Sequence, residues 1–248
     1  MSKFLKTLIV IPTLNEEKNI RKIAHKILLL KNNSLNILFV DDNSLDGSQE
    51  EIILLKKKYK KINYLFRKNK SGIGSAHIEG IKFAFKNKFN YCITIDADGT
   101  HDPEMIIKMM NIISKKKNNF DIINTNRFLK HGSLSDWPLA RKYITLLRFF
   151  LVKILLKTNF DSSGGFRLYN LNTIKLKHFL LSKDKNYFYL IESLFYFERL
   201  NYKIFEFPIN LKYRNYGSSK MRVLHIIDSL LKLIKLSFKD KTYIKNIK

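Results

Sequence analysis

Short apolar runs alternate with stretches of helical period along the first half of the chain. "TLIVIP", "LNILFVDD", "INYLFR", "YCITIDAD" and "FDIINTNR" are each brief and rich in β-branched or aromatic residues, which predicts strands. Between them, "EEKNIRKIAHKILLL", "SQEEIILLKKKY", "GIGSAHIEGIKFAFKN" and "PEMIIKMMNIISKK" read as helices, the last with Pro103 near its start. Such alternation is the pattern of βαβ units, so the expected fold is α/β, a mainly parallel twisted sheet flanked by helices. From about His131 the pattern is less regular. Two strongly apolar helical stretches follow, expected to wrap the same domain, and no internal repeat or low-complexity linker divides the chain.

The polar residues fall at regular places. Asn15-Glu16, Asp41-Asp42, Gly72–Gly74, Asp96–Asp98 and Arg127 all follow the carboxyl ends of successive predicted strands. In open parallel sheets ligands bind in the crevice outside those ends, so these segments are expected to converge on one site.

Composition narrows the partners. The 248 residues are 45% hydrophobic, enough for a sizeable core and against dominant disorder. Lys and Arg number 46 against 21 Asp and Glu, a net charge of +25 that favours anionic partners: nucleic acid, anionic lipid surfaces or phosphorylated substrates. Cys92 is the only cysteine, which rules out an intramolecular disulfide and fits a reducing, cytosolic setting. The N-terminus shows no small-residue cleavage pattern and is interrupted by Pro12 and Asn15, as a first strand would be. No segment offers the roughly 20 uninterrupted apolar residues of a spanning helix. The closest, Tyr143 to Leu156, contains Arg148 and Lys153.

Against that basic background, "ITIDADGTHDPE" gathers Asp96, Asp98, Asp102 and Glu104 directly after an apolar run. Two aspartates two residues apart on an extended segment can face one side, and hard cations such as Mg²⁺ or Mn²⁺ take oxygen ligands from one or two carboxylates plus a substrate phosphate. Asp96 and Asp98 are therefore candidate metal ligands. Adjacent Asp41 and Asp42 should repel unless a ligand donor, base or ribose lies between them, whereas Asp46, Gly47 and Ser48 read as turn and capping residues. The glycines of "KSGIGSAHIEG" do not form G-x-G-x-x-G, because Gly80 comes too late, and no Walker A pattern occurs. A Rossmann dehydrogenase and a P-loop NTPase are thereby disfavoured. His77 and His101 read as structural.

In order and spacing, "IVIPTLNE", "VDDNSLDGS", "NKSGIGSAHIEGIKFA", "IDADGTHDPE", "NR", "WPLARK", "SSGGFRLY", "IESLFYFERLNYKIFEFPI" and "YRNYGSSKM" resemble the family 2 glycosyltransferases. Within that family the chain is similar to the dolichol-phosphate mannosyltransferase (polyprenyl-phosphate glycosyltransferase) branch over about residues 5 to 222. The resemblance implies a GT-A-type nucleotide-diphospho-sugar transferase domain over residues 1–222, with an amphipathic basic helix and tail over 223–248. It implies an inverting transfer of a hexose, mannose from GDP-mannose, to a polyprenyl or dolichyl phosphate, with Mg²⁺ or Mn²⁺ as cofactor. By motif, Pro12, Leu14, Glu16, Val40, Asp41 and Asp42 would hold the nucleotide, and Asp96, Ala97 and Asp98 the metal and diphosphate. Arg127, Arg214 and Lys220 would contact phosphate, and Arg141 and Glu192 would lie at the acceptor. Asp96, Asp98 and Arg127 thus carry the catalytic expectation. The chain departs from the pattern at Thr100, where relatives often have Gln or Ser, and at Leu14, where Tyr is common.

The implied chemistry is physically coherent. Displacing a diphosphate from a sugar C1 passes through an oxocarbenium-like state, and charge growing on the leaving group calls for a metal and cationic donors. A phosphate nucleophile is already ionised at neutral pH and needs no strong base. A hydroxyl acceptor, the alternative, would need one, for which Asp136 and Asp161 are the candidates. A nucleic-acid-binding module is disfavoured, because the aspartates would repel a phosphate backbone and no nucleic-acid motif appears. Val223 to Phe238 places His225, Asp228, Ser229, Lys232 and Lys235 on one helical face and leaves a wide apolar one. That arrangement suits either an interfacial helix or a core-packed one. The expectation is peripheral attachment to an anionic membrane surface, alone or through a membrane-anchoring partner protein.

Overall fold

Each of the five apolar runs of the first half forms a strand: β1 (Thr7–Thr13), β2 (Leu35–Asp41), β3 (Ile62–Phe66), β4 (Tyr91–Thr94) and β5 (Ile122–Asn126). The helices between them are α1 (Glu17–Leu28), α2 (Ser48–Lys58), α3 (Ile73–Lys86) and α4 (Met105–Ile113). The computed structural model describes residues 5–115, 119–130, 132–135, 137–211 and 223–239. Its second half contributes α5 (Leu139–Leu156), β6 (Arg167–Asn170), α6 (Leu176–Phe179), α7 (Tyr189–Arg199), β7 (Ile204–Pro208) and α8 (Val223–Ser237).

The strands form a seven-stranded sheet in the order β3-β2-β1-β4-β6-β5-β7. All pairings are parallel except those of β6, which runs antiparallel between β4 and β5. The hydrophobic pattern does not announce β6, because "RLYN" is short, follows two glycines and does not alternate. Its position matters for everything downstream, since it separates β4 from β5 and brings its own leading segment between their carboxyl ends.

Alternate residues of β1 serve the two faces. Ile9 and Ile11 pack with Ile20, Ile23 and Ile27 of α1, Ile52 of α2 and Met109 of α4, while Leu8 and Val10 pack with Ala76, Ile81 and Ala84 of α3 and with Phe179 and Phe197. Burying one such aliphatic side chain stabilises by about 1.5–3 kcal/mol, so both faces contribute to holding the sheet. α3 lies so close to β1 that a Cβ on Gly80 would overlap the side chain of Val10. A third cluster joins Val152 and Leu156 of α5 and Ile191 and Phe195 of α7 to Leu233 and Leu236 of α8. One stripe of α8 is therefore core-packed, and the opposite one is not.

Candidate active site

The first two strands end side by side, with Pro12 in register with Val40 and Thr13 with Asp41. Their following loops are laced together by side chains. Asn15 N–H donates to Ser44 Oγ at 2.8 Å, and Leu45 N–H to Asn15 Oδ1 at 2.8 Å. Ser48 and Asp46, expected as turn and cap residues, accept from Glu16 N–H at 2.8 Å and Glu17 N–H at 3.2 Å. They thus cap the start of the preceding helix, α1, across the loop contact. Glu16 in turn accepts from Asn19 at 2.7 Å, and Leu14 is half-buried.

The repulsion expected between Asp41 and Asp42 is removed by the protein's own donors. Asp41 accepts from Thr13 Oγ1, Ser44 N–H, Ser44 Oγ and Gln49 Nε2 at 3.0, 2.9, 2.5 and 2.8 Å. Asp42 accepts from Ser71 N–H at 2.7 Å and Gly72 N–H at 2.8 Å, and pairs with Arg67 Nη2 at 2.7 Å. The two carboxylates therefore fix the loops after β2 and β3. Gly72, with φ +92°, takes a backbone conformation that a side chain would strain.

Asp96 and Asp98 follow β4 after the buried Ile95. The Asp96 side chain is 32% exposed, with His101 Nδ1 at 3.8 Å from its Oδ2. Asp98 is buried, and its Oδ1 accepts from both the N–H and the hydroxyl of Thr100 at 3.0 and 2.7 Å. In this structure Thr100 thus orients Asp98. Ala97 is buried between them. Among the described residues no three or more His, Cys, Asp or Glu side chains are grouped to hold a metal ion. Two carboxylates alone fit an ion that takes its remaining oxygens from a substrate diphosphate and water, as Mg²⁺ and Mn²⁺ do.

Strand register then brings the basic half of the site to these aspartates. Arg167 of β6 pairs with Thr94 of β4 on one side and with Asn124 of β5 on the other. Extending both antiparallel registers past the strand ends sets Gly165 opposite Asp96 and Gly164 opposite Arg127. Accordingly, a Cβ on Gly165 would lie 3.3 Å from Asp96 Oδ1, and one on Gly164 would lie 3.2 Å from Arg127 Nη2. The diglycine is the gap through which acidic and basic side chains approach the same place. Thr94 and Thr125 clamp this segment by donating to the carbonyls of Gly165 at 2.6 Å and Phe166 at 2.8 Å.

Arg127 is held by Asp161, whose Oδ2 lies 2.7 Å from its Nε. Burial opposes ionisation of Asp161, but the adjacent Arg127 charge and the hydrogen bonds from Arg127 and Ser163 carry its pKa below the usual carboxylate range. Glu206 of β7 fixes this turn in its own right, accepting from Asp161 N–H at 2.8 Å and from Asn126 Nδ2 at 2.6 Å. Beyond it, Phe149 of α5 packs on Phe128 with ring centroids 4.1 Å apart, which sets α5 against the end of β5. Arg141 lies over the ring of Trp137 at 4.0 Å. The Arg148 pKa is pushed down to about 10, first by burial and then by the charges of Arg127 and Arg141, with Asp161 opposing.

The structure therefore brings Asp96 and Arg127 to Gly164-Gly165, with Asp98 two residues beyond Asp96 and α5 packed on Phe128, the residue after Arg127. Glu192, on α7, is held by the segment that precedes that helix. Its carboxylate accepts from Ser182 Oγ at 2.7 Å and from the N–H groups of Lys183 and Asp184 at 2.9 and 3.1 Å. Arg214, Lys220 and Asp136 lie outside the described residues. His77 is buried against Tyr189 and its pKa is pushed down to about 3 by burial and by Arg167, which accords with a structural role. Residue patterning missed Glu206, and it gave no role to the diglycine that it quoted within "SSGGFRLY".

A mainly parallel sheet carrying Asp96 and Asp98 after β4, with Arg127 across a diglycine, has the architecture of the GT-A kind. The family model "Glycosyl transferase family 2" matches residues 8–175, and the chain belongs to that family. More particularly, it is 27% identical over 88% of both chains to an undecaprenyl-phosphate mannosyltransferase of Micrococcus luteus. It is 25% identical to a polyprenol monophosphomannose synthase of Mycolicibacterium smegmatis, over 92% of this chain and 85% of that one. Among solved structures it is similar in fold to glucosyl-3-phosphoglycerate synthase of Mycobacterium tuberculosis in complex with Mn²⁺ and UDP. That likeness has a TM-score of 0.62 at 15% identity, covering 96% of this chain and 80% of that one.

Proposed function

We propose that this glycosyltransferase moves mannose from GDP-mannose to the phosphate of a polyprenyl phosphate at a membrane surface, inverting the anomeric centre. The observation that carries this reading is the placement of Arg127 and Asp96 on either side of Gly164-Gly165, one pole for phosphate and one for a metal-bound diphosphate. The mannosyl donor and lipid phosphate come from the activities for which the two mannosyltransferase relatives are named.

Asp96 and Asp98 would hold Mg²⁺ or Mn²⁺, which when bound supplies charge neutralisation to the departing diphosphate. Pro12, Leu14, Glu16, Val40, Asp41 and Asp42 build the nucleotide wall, and Arg214 and Lys220 would reach the same diphosphate. Arg127, with Arg141, orients the acceptor phosphate. Guanidinium suits this task because its planar fork bonds two phosphate oxygens at once. The state of Asp161 supports a phosphate acceptor over a hydroxyl. Its carboxylate is buried on Arg127 with a lowered pKa, the reverse of what a general base for a hydroxyl needs.

A membrane surface accounts for the outer side of α5 and α8. Tyr143, Ile144, Leu147, Phe150 and Ile154 of α5 and Leu230, Leu231 and Ile234 of α8 are exposed apolar residues on two helices that pack together. A patch of this kind beside exposed Lys235 fits the headgroup boundary or a partner's membrane anchor. Among the described residues no helix is long and apolar enough to cross a membrane.

Comparing a short-chain polyprenyl phosphate with the matching polyprenol tests the acceptor. Mannosyl lipid is expected from the phosphate alone, and transfer to the alcohol would overturn this reading. Gly165→Ala is expected to lower kcat by tenfold or more with little change in melting temperature, because the new methyl presses on Asp96 Oδ1. Steady-state kinetics beside a thermal melt checks this.

A further inference from the structure

We propose that Asp184 is a positioning residue for the nucleotide sugar, tying α8 to the loop that supplies Asp42 with its main-chain donors. The proposal rests on the nucleotide reading of Asp42 above and adds to it a residue outside the nucleotide wall. Asp42 accepts from the N–H groups of Ser71 and Gly72, which lead into α3. Residues 184–186, which lead into α7, lie directly against that turn. A Cβ on Gly72 would overlap the Lys185 carbonyl and the Asn186 side chain. One on Gly74 would lie 2.8 Å from the carbonyl oxygen of Asn186 and 2.9 Å from that of Asp184. Ser75 N–H donates to the Lys185 carbonyl at 3.1 Å, so a hydrogen bond joins the two segments as well as close packing. Arg67, the ion-pair partner of Asp42, donates to the Gly72 carbonyl of the same turn at 3.0 Å.

Asp184 gives this segment its shape. Its Oδ1 accepts from Asn186 N–H at 2.8 Å and Tyr189 N–H at 3.3 Å, closing the turn and capping the start of α7. Its Oδ2 lies 2.6 Å from Lys232 Nζ of α8, and the Asp184 side chain is 6% exposed. A carboxylate so far removed from water needs a compensating charge, and Lys232 supplies it. The other carboxylate on Lys232 is Asp228, which belongs to α8 itself and makes no link between elements. A continuous set of contacts therefore runs from α8, whose Leu231 and Ile234 are exposed, through Asp184 and Gly72 to Asp42. Loosening the segment frees the Ser71 and Gly72 amides to turn away from Asp42, which weakens nucleotide binding without touching the acceptor.

The test measures affinity for GDP and for UDP with Mn²⁺ present, and KM for the sugar donor and for a short-chain polyprenyl phosphate. Asp184→Ala, which removes both the turn and the ion pair, is expected to raise nucleotide Kd and donor KM about tenfold, with kcat and acceptor KM within about twofold. Asp184→Asn and Lys232→Gln each break the ion pair alone, so each should raise donor KM by about threefold and the double variant by no more. Lys232→Arg should recover wild-type affinity, and Asp228→Asn should match it. General damage to the fold would move both KM values and kcat together, so a change confined to the donor marks positioning. Nucleotide binding unchanged in Asp184→Ala, an equal rise in acceptor KM, or a loss in Asp228→Asn as large as in Lys232→Gln overturns the proposal. Where Asp184→Ala melts early, the two ion-pair variants decide, and wild-type nucleotide affinity in both overturns it as well. Failure of the wild type to bind either nucleotide would overturn the nucleotide reading of Asp42 beneath it, and the proposal with it.

Discussion

Replacing Asp161 with alanine is expected to destabilise the protein by about 3–5 kcal/mol and to abolish transfer, although Asp161 is not placed to touch substrate. The cause is the charge it would leave behind. Arg127 is buried, and its Nε and main-chain N–H both point at Asp161 Oδ2, at 2.7 and 3.3 Å. Without that carboxylate a guanidinium stays in a poorly hydrated turn with no compensating charge, and it would rotate or draw in water. Asp161→Asn keeps the volume and one acceptor oxygen, so its loss of stability should be smaller while the positioning of Arg127 still suffers.

The pH dependence follows from the direction of the Asp161 shift. Its folded-state pKa lies below the unfolded value near 3.9, so the unfolded chain takes up the proton first as pH falls. The stabilisation is therefore fully present above about pH 4 and is lost as pH drops through the folded pKa. Denaturant melts at pH 7 should separate wild type from Asp161→Ala, and the gap should close in acid. A variant as stable as wild type at pH 7 would show that Arg127 finds other compensation.

A second large effect is expected at Asp98. Asp98→Ala should lower kcat by on the order of a thousandfold or more, the scale on which losing a stabiliser of developing charge acts. Asp98 Oδ1 also accepts from Thr100, two residues away, so a thermal melt beside the assay separates loss of the site from loss of the fold. Raising the Mn²⁺ concentration should recover part of the rate if binding of the ion is what fails. A rate within tenfold of wild type would place the diphosphate elsewhere.

Much of this site can be read from residue order, and the unread parts share a cause. The five parallel strands and four helices of the first half obey simple periodicities, so the sequence alone places the Asp42, Asp96 and Arg127 loops at one edge of a sheet. It cannot place β6, because an antiparallel insertion is decided by tertiary pairing, and four residues carry no period. Yet that strand makes the site, by setting Gly165 against Asp96 and Gly164 against Arg127. Asp41 and Asp42 show the opposite limit. Their juxtaposition in sequence pointed to a ligand between them, whereas Ser44, Gln49 of α2, Arg67 and the Ser71-Gly72 amides provide the compensation. For α8 the two readings of its apolar face both hold in part, since Leu233 and Leu236 are buried while Leu231 and Ile234 are exposed.

The most direct test of the central claim is the release of nucleoside diphosphate from a panel of GDP- and UDP-sugars with Mn²⁺, with and without a short-chain polyprenyl phosphate. Release from GDP-mannose that requires the lipid phosphate, and that disappears in Asp98→Ala, is the result expected here. Release that ignores the lipid phosphate, or none from any donor, would contradict it.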